Sequence, residues 1–191
     1  MDDEAEMLRK YNNIYLTIIT RYKDYIEEHE GLYITELPKL ITPSNKNVAS
    51  IVEQIKSGFA SYNPSTDFYD AAYKALESIK SIKQITMPIQ FWQMPSETIS
   101  NGAGDEFDRA VVLCSVLIAL GNPSTKVAVV TAGEQRSISV YFSNGDKIAC
   151  MDVSGSIREF ASSKELFDYM GAKGEDSSAY EFNDKMYSDI Y

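Results

Sequence analysis

Residues 91–121, FWQMPSETISNGAGDEFDRAVVLCSVLIALG, decide the fold. Trp92 to Gly104 is polar and punctuated by Pro95, Gly102 and Gly104, which predicts a loop. Asp105 is a good N-cap, and Glu106 and Asp108 place negative charge on a first helical turn, where the helix dipole favours it. From Ala110 to Leu120 almost every residue is apolar, Ser115 excepted. A helix apolar all round is a buried helix, and this one is too short to span a bilayer. Gly121 stops it and Asn122-Pro123 prevents its resumption. The sequence thus delivers a helix N-terminus, with its free N–H groups, from a polar loop into the protein's centre. Such an end can stabilise an anion or lower a thiol pKa.

WQMPSETISNGAGDEFDRAVVLCSVLIALG resembles the active-site segment of the transglutaminase-like superfamily, especially its archaeal and prokaryotic members. Their pattern is Trp-x-x-Pro-x-Glu-Thr, then Gly-x-Gly-Asp-Cys-x-Asp, then an apolar helix ending in Ala-x-Gly. The chain matches at Trp92, Pro95, Glu97, Thr98, Gly102, Gly104, Asp105, Asp108, Ala110, Leu120 and Gly121. It departs where the nucleophilic cysteine would stand, which is Glu106. The resemblance implies an α+β, transglutaminase-like (papain-like cysteine-protease-type) fold, with a central buried helix on a small antiparallel sheet.

The periodicity changes after the helix. Residues 126–131, 136–142 and 147–153 read as strands, the last two joined by a hairpin turn at Ser143-Asn-Gly-Asp. In the family, the second strand opens on the catalytic histidine and the third ends on the catalytic aspartate. Counted from the turn, those places fall on Ser137, with a register open by one residue, and on Asp152. The triad places therefore hold Glu106, Ser137 and Asp152. A Cys-His-Asp triad needs a thiolate, an imidazole and a carboxylate that orients it. The only histidine of the chain is His29, so no shift of register restores the base. Family-type transamidase, amidase and thiol-protease activity is not expected. Cys114 lies eight residues beyond Glu106 in the apolar helix, and Cys150 lies two residues before Asp152 on a strand; both read as packing.

Trp92, Gln93, Asp105, Glu106 and Asp152 are the candidate ligand-binding cleft. Glu97, Asp105, Glu106, Asp108 and Asp152 are enough carboxylates for a hard divalent cation if they converge, although their spacing is not that of an EF-hand loop. The favoured reading disperses them: Asp105 as cap, Glu106 and Asp108 on the dipole, Asp152 bonded to loop amides. No cofactor or metal is expected. The leading expectation is a non-catalytic binding or protein-interaction module. The alternative is a divergent hydrolase or divalent-metal enzyme using Glu106 and Asp152.

Residues 1–30 read as an N-terminal amphipathic helix and 31–191 as the domain. Leu8, Tyr11, Tyr15, Ile18, Tyr22 and Tyr25 step by three and four, and Met7, Ile14, Ile19 and Ile26 widen the stripe; Gly31 ends it. Packing on its own domain is the favoured reading of residues 7–26, and a homodimer seam the other. A helix is predicted from Asn47 to Gly58, another from a cap at Thr66 or Asp67, and a third over residues 156–170, broken by Gly171 and Gly174. The aromatic tail, SSAYEFNDKMYSDIY, is expected on the domain surface as a strand or extended segment.

The chain has 191 residues and a formal net charge of −10, with no Lys/Arg cluster. Nucleic acid and anionic membrane are thereby disfavoured as partners, and an unidentified protein or peptide is expected instead. The acidic N-terminus lacks the apolar region of a signal peptide, and no stretch reaches transmembrane length, so a cytoplasmic protein is expected. Two cysteines make neither a disulfide framework nor a zinc site.

Overall fold

The computed structural model describes residues 2–29, 33–89, 91–173 and 176–190. The expected breakers Gly31 and Gly174 lie outside them. The chain opens with α1 (Asp2–Arg21) and α2 (Lys23–His29), separated at Tyr22 by a one-residue turn. A 3-10 helix (Ile34–Leu40) leads to α3 (Lys46–Lys56) and α4 (Pro64–Lys80). Asn45 and Asn63 cap these two helices, so α4 starts earlier than Thr66, with Pro64 in its first turn. Then come β1 (Lys83–Gln84), α5 (Pro95–Asn101), β2 (Ala103–Gly104) and α6 (Glu106–Ala119).

The second half is mostly strand: β3 (Lys126–Ala132), β4 (Gln135–Asn144), β5 (Lys147–Met151), β6 (Ile157–Phe160), α7 (Ser163–Met170), β7 (Ser177–Phe182) and β8 (Tyr187–Asp189). The main sheet has the order β6-β5-β4-β3-β7-β8 and every pair is antiparallel. The three predicted strands are β3, β4 and β5. The expected helix over 156–170 is instead β6 followed by α7. The tail forms strands as expected, but not on the surface: β7 pairs with β3 inside the sheet, and Ala179 and Phe182 are buried.

Helix α6 is buried from Phe107 to Leu117 and lies at the centre of the larger core. On one side it meets α3, α4 and α5, and on the other β3 and β4. Strand alternation fixes the register. Ile138, Val140 and Phe142 of β4 belong to the α6 core, while Tyr141 joins Phe160, Leu166 and Phe167 in a second core under α7. Each large apolar side chain so buried contributes about 1.5–3 kcal/mol, which makes α6 a major contributor to the burial term that offsets the entropy of ordering the chain. The polar exception, Ser115, accepts from the Thr42 backbone N–H (3.1 Å) and donates to the Val111 carbonyl (2.8 Å).

Helix α1 is not packed on the domain. Its apolar stripe is open, with Leu8 57% and Tyr15 57% exposed. Self-packing, the favoured reading of the sequence, therefore fails for most of the stripe, of which only Ile19 and Ile26 are half-buried: the domain core is already closed by α3, α4 and the 3-10 helix.

Candidate functional site

The loop before α6 is more ordered than its composition suggests. Pro95 starts α5, Glu97 accepts from the Met94 backbone N–H (2.8 Å), and Gly102 ends the helix at φ 61°, in the left-handed region. Strand β2 then pairs in parallel with β1, which tethers residues 83–84 beside 103–104. The polar run that predicted an open loop thus contains a helix and a strand.

Asp108 holds this segment to α6. It is fully buried, and both its oxygens accept: Oδ1 from the Gln93 N–H (2.9 Å), Oδ2 from Gln93 Nε2 (3.1 Å) and from the Asp105 N–H (3.0 Å). In return Asp105 Oδ1 accepts from the Asp108 N–H (2.8 Å), which completes a capping box. Burial first, then the charge of Asp105, pushes the Asp108 pKa up against these hydrogen bonds. Gln93, expected beside Trp92 in the cleft, turns inward: it is 5% exposed, and its amide also bonds Ala103 and Asn101.

Glu106 is the first residue of α6 and stands in a groove with two lobes. One lobe, about 600 Å³, is walled by Trp92, Phe91 and Asp105, with Lys23 and Glu27 of α2 at its rim. The other, about 320 Å³, holds Ser137, Ser139, Asp152 and Tyr169. Glu106, Arg136 and Ile138 line both. Trp92 stacks on Phe107 (centroids 5.6 Å apart), which stacks on Phe182 (5.8 Å), so the indole both packs and walls the groove.

The electrostatics centre on Glu106. Burial raises its pKa, Asp152 and Asp105 raise it further, and Arg136 and Arg109 oppose the shift. Arg136 shares the alternation of Ile138 and Val140, and its guanidinium lies 5.3 Å from the Phe107 ring centroid. Ser137, its neighbour, pairs with Val130 on the adjoining strand. Asp152 sits in the turn after β5, where its Oδ1 accepts from the Ser154 N–H (2.7 Å).

Arg109 is the residue that the sequence reading passed over. It is 5% exposed at the start of the apolar run. Its Nη1 donates to Gln84 Oε1 (3.0 Å) and its Nη2 to the Val153 carbonyl (2.9 Å), which ties α6 to the turn carrying Asp152. Burial lowers its pKa, while Asp152 and Glu106 act in the opposite sense. A charged side chain one turn into a buried helix was the available signal, because such a charge needs partners.

Of the other acidic residues, Glu97 caps α5 and Asp108 is enclosed by the loop. Among the described residues, no three His, Cys, Asp or Glu side chains gather as metal ligands would. Cys114 is buried and burial pushes its thiol well above the ordinary range. Cys150, 6% exposed, is pushed up to about 11, again chiefly by burial.

A central helix entering from a capped loop and lying across an antiparallel sheet defines an α+β fold of the transglutaminase-like, papain-like cysteine-protease type. Three solved structures of Legionella pneumophila LapG are similar to it. One matches with TM-score 0.53 and 15% identity, covering 82% of this chain and 87% of the other. The calcium-bound form matches with TM-score 0.52 and 16% identity over 90% and 86%. The EGTA-treated form matches with TM-score 0.51 and 16% identity over 83% and 90%. At this identity the likeness carries the fold alone. No protein-family model matches the chain, and no curated protein matches it in sequence. Among the described residues, no helix is long and apolar enough to cross a membrane.

Proposed function

We propose that this chain is a transglutaminase-like domain that performs no thiol chemistry and uses its groove to bind a protein or peptide segment. The observation that carries the reading is Glu106 at the first position of α6, where the resemblance expects the nucleophilic cysteine. The resemblance puts the base at Ser137 or a neighbour on β4 and the orienting carboxylate at Asp152, and Ser137 and Asp152 both line the groove with Glu106. A serine cannot take and return a proton as an imidazole does. Neither thiol substitutes for the missing cysteine, because both are buried and neither lines the groove.

The groove has the features of a segment-binding site: an aromatic wall at Trp92, two lobes that share Glu106, Arg136 and Ile138, and charged groups where they meet. Its carboxylates Glu27, Asp105, Glu106 and Asp152 outnumber Lys23 and Arg136, which favours a segment carrying positive charge. The net charge of −10 opposes a nucleic-acid partner. Lys23 and Glu27 of α2 reach the rim of the groove, so the N-terminal segment is placed to contribute to the site. One LapG structure is described as calcium-bound, whereas among the described residues of this chain no three His, Cys, Asp or Glu side chains gather as metal ligands would, so a divalent-metal enzyme using Glu106 and Asp152 has less support.

A screen of the full-length protein against a library of extended peptides tests this. Selected peptides should be recovered intact, and Trp92→Ala or Glu106→Lys should weaken their binding at least about tenfold, as expected for loss of an aromatic anchor or a reversed charge. Cleavage or modification of a bound peptide by the purified protein would overturn the reading.

A further inference from the structure

We infer that α1 pairs antiparallel with α1 of a second copy of this chain, about an axis near Asn13. The inference does not depend on the reading of the groove. Leu8, Tyr11, Tyr15, Ile18 and Tyr22 alternate three- and four-residue steps, the spacing with which one helix meets another. With Met7 and Ile14 beside them, these side chains are 48% to 57% exposed. At roughly 100 Å² left open by each, they present on the order of 700 Å² per chain, close to the ~800 Å² that each partner gives a stable interface. A contiguous apolar patch of that size is not a normal free surface.

The sequence of α1 is complementary to its own reverse. With the axis near Asn13, Leu8 falls opposite Ile18 of the second copy and Tyr11 opposite Tyr15. The same alignment brings Glu4 of one helix between Arg21 and Lys23 of the other. A parallel pair would put both acidic ends together and align the two dipoles, which is unfavourable on both counts. The low basic charge of the helix also fits a lipid surface poorly: only Arg9, Lys10, Arg21 and Lys23 are cationic, against five carboxylates in residues 2–24.

Sedimentation of the full-length protein at tens of micromolar should give twice the mass of one chain. Tyr15→Glu and, separately, Ile18→Glu should return the single-chain mass while the thermal unfolding of the domain is unchanged. A mixture of Leu8→Cys and Ile18→Cys proteins should form mixed disulfide dimers on mild oxidation, whereas Leu8→Cys alone should not link to itself. The native cysteines do not interfere, because both are buried. Single-chain mass for the unaltered protein would overturn the inference, as would self-linking of Leu8→Cys. So would flotation of a single-chain form with phosphatidylcholine vesicles, which would assign the face to lipid.

Discussion

Gln93 and Asp108 are bound to each other twice: the backbone N–H of Gln93 donates to Oδ1 and its side-chain Nε2 to Oδ2, at 2.9 and 3.1 Å. With the Asp105 N–H also on Oδ2, the carboxylate accepts three times and donates nothing. Asparagine therefore cannot replace it, since its NH₂ would face other donors. Asp108→Asn and Asp108→Ala should each cost about 2–4 kcal/mol in urea unfolding, because buried donors are left unpaired. An Asn variant as stable as the unaltered protein would show that Asp108 does not hold the loop.

Glu106 gives the fold a pH dependence of defined sign. Burial and the Asp152 charge hold its folded pKa above the ordinary 4.5, so the folded state keeps its proton more tightly than the unfolded chain. That contribution is fully present below 4.5 and is lost as pH rises through the folded value. Glu106→Gln cannot ionise and escapes the loss. Its Tm should exceed that of the unaltered protein at neutral pH, and the gap should close in acid. A gap that widens in acid would contradict the burial of this carboxyl.

The legible parts of the chain were those whose pattern is local. Helix α6 was readable because its cap, its apolar run and its Gly stop all occur within seventeen residues of one another, from Asp105 to Gly121. Strands β3 to β5 followed from alternation and one turn, where Gly145 takes φ 61°. Helix α5 was hidden because it is seven residues long and is preceded at the cap position by Met94, a side chain with no capping preference. Ile157 and Phe160 suit a helix or a strand equally, so β6 was absorbed into the α7 pattern. In the site, Glu106, Asp105, Trp92 and Asp152 were named from the motif. Arg136 and Arg109 were not, because their approach to Glu106 joins α6 to β4 and to the turn after β5, and no local pattern encodes that meeting.

Both thiols should be slow to react in the folded protein. Cys150 is held at about 11 and Cys114 higher, so the thiolate fraction at neutral pH is far below that of a free cysteine. Iodoacetamide followed by mass spectrometry should find little labelling in buffer and two labels in urea. Fast single labelling of the folded protein, removed by Cys150→Ser, would reveal an activated thiol on β5.

The groove should still hold the geometry of a thiol–imidazole pair when the residue types are supplied. Glu106→Cys places a thiol on the first turn of α6, where the dipole lowers its pKa and the neighbouring carboxylates Asp105 and Asp108 raise it. Alone, this variant should react only modestly faster than a free cysteine. A histidine on β4 adds the cation, and Ser137, Arg136 and Ile138 are the three candidate places because all line the groove with Glu106 and Asp152. Glu106→Cys combined with Ser137→His, Arg136→His or Ile138→His should, in one of the three pairs, bring the thiol well below the unperturbed ~8.5, read from iodoacetamide labelling against pH. Changing Asp152 to Asn in the responsive pair should weaken the effect, since the carboxylate stabilises the imidazolium. If all three pairs titrate like a free cysteine, β4 does not present a base to the start of α6, and the likeness to the transglutaminase-like site ends at the backbone.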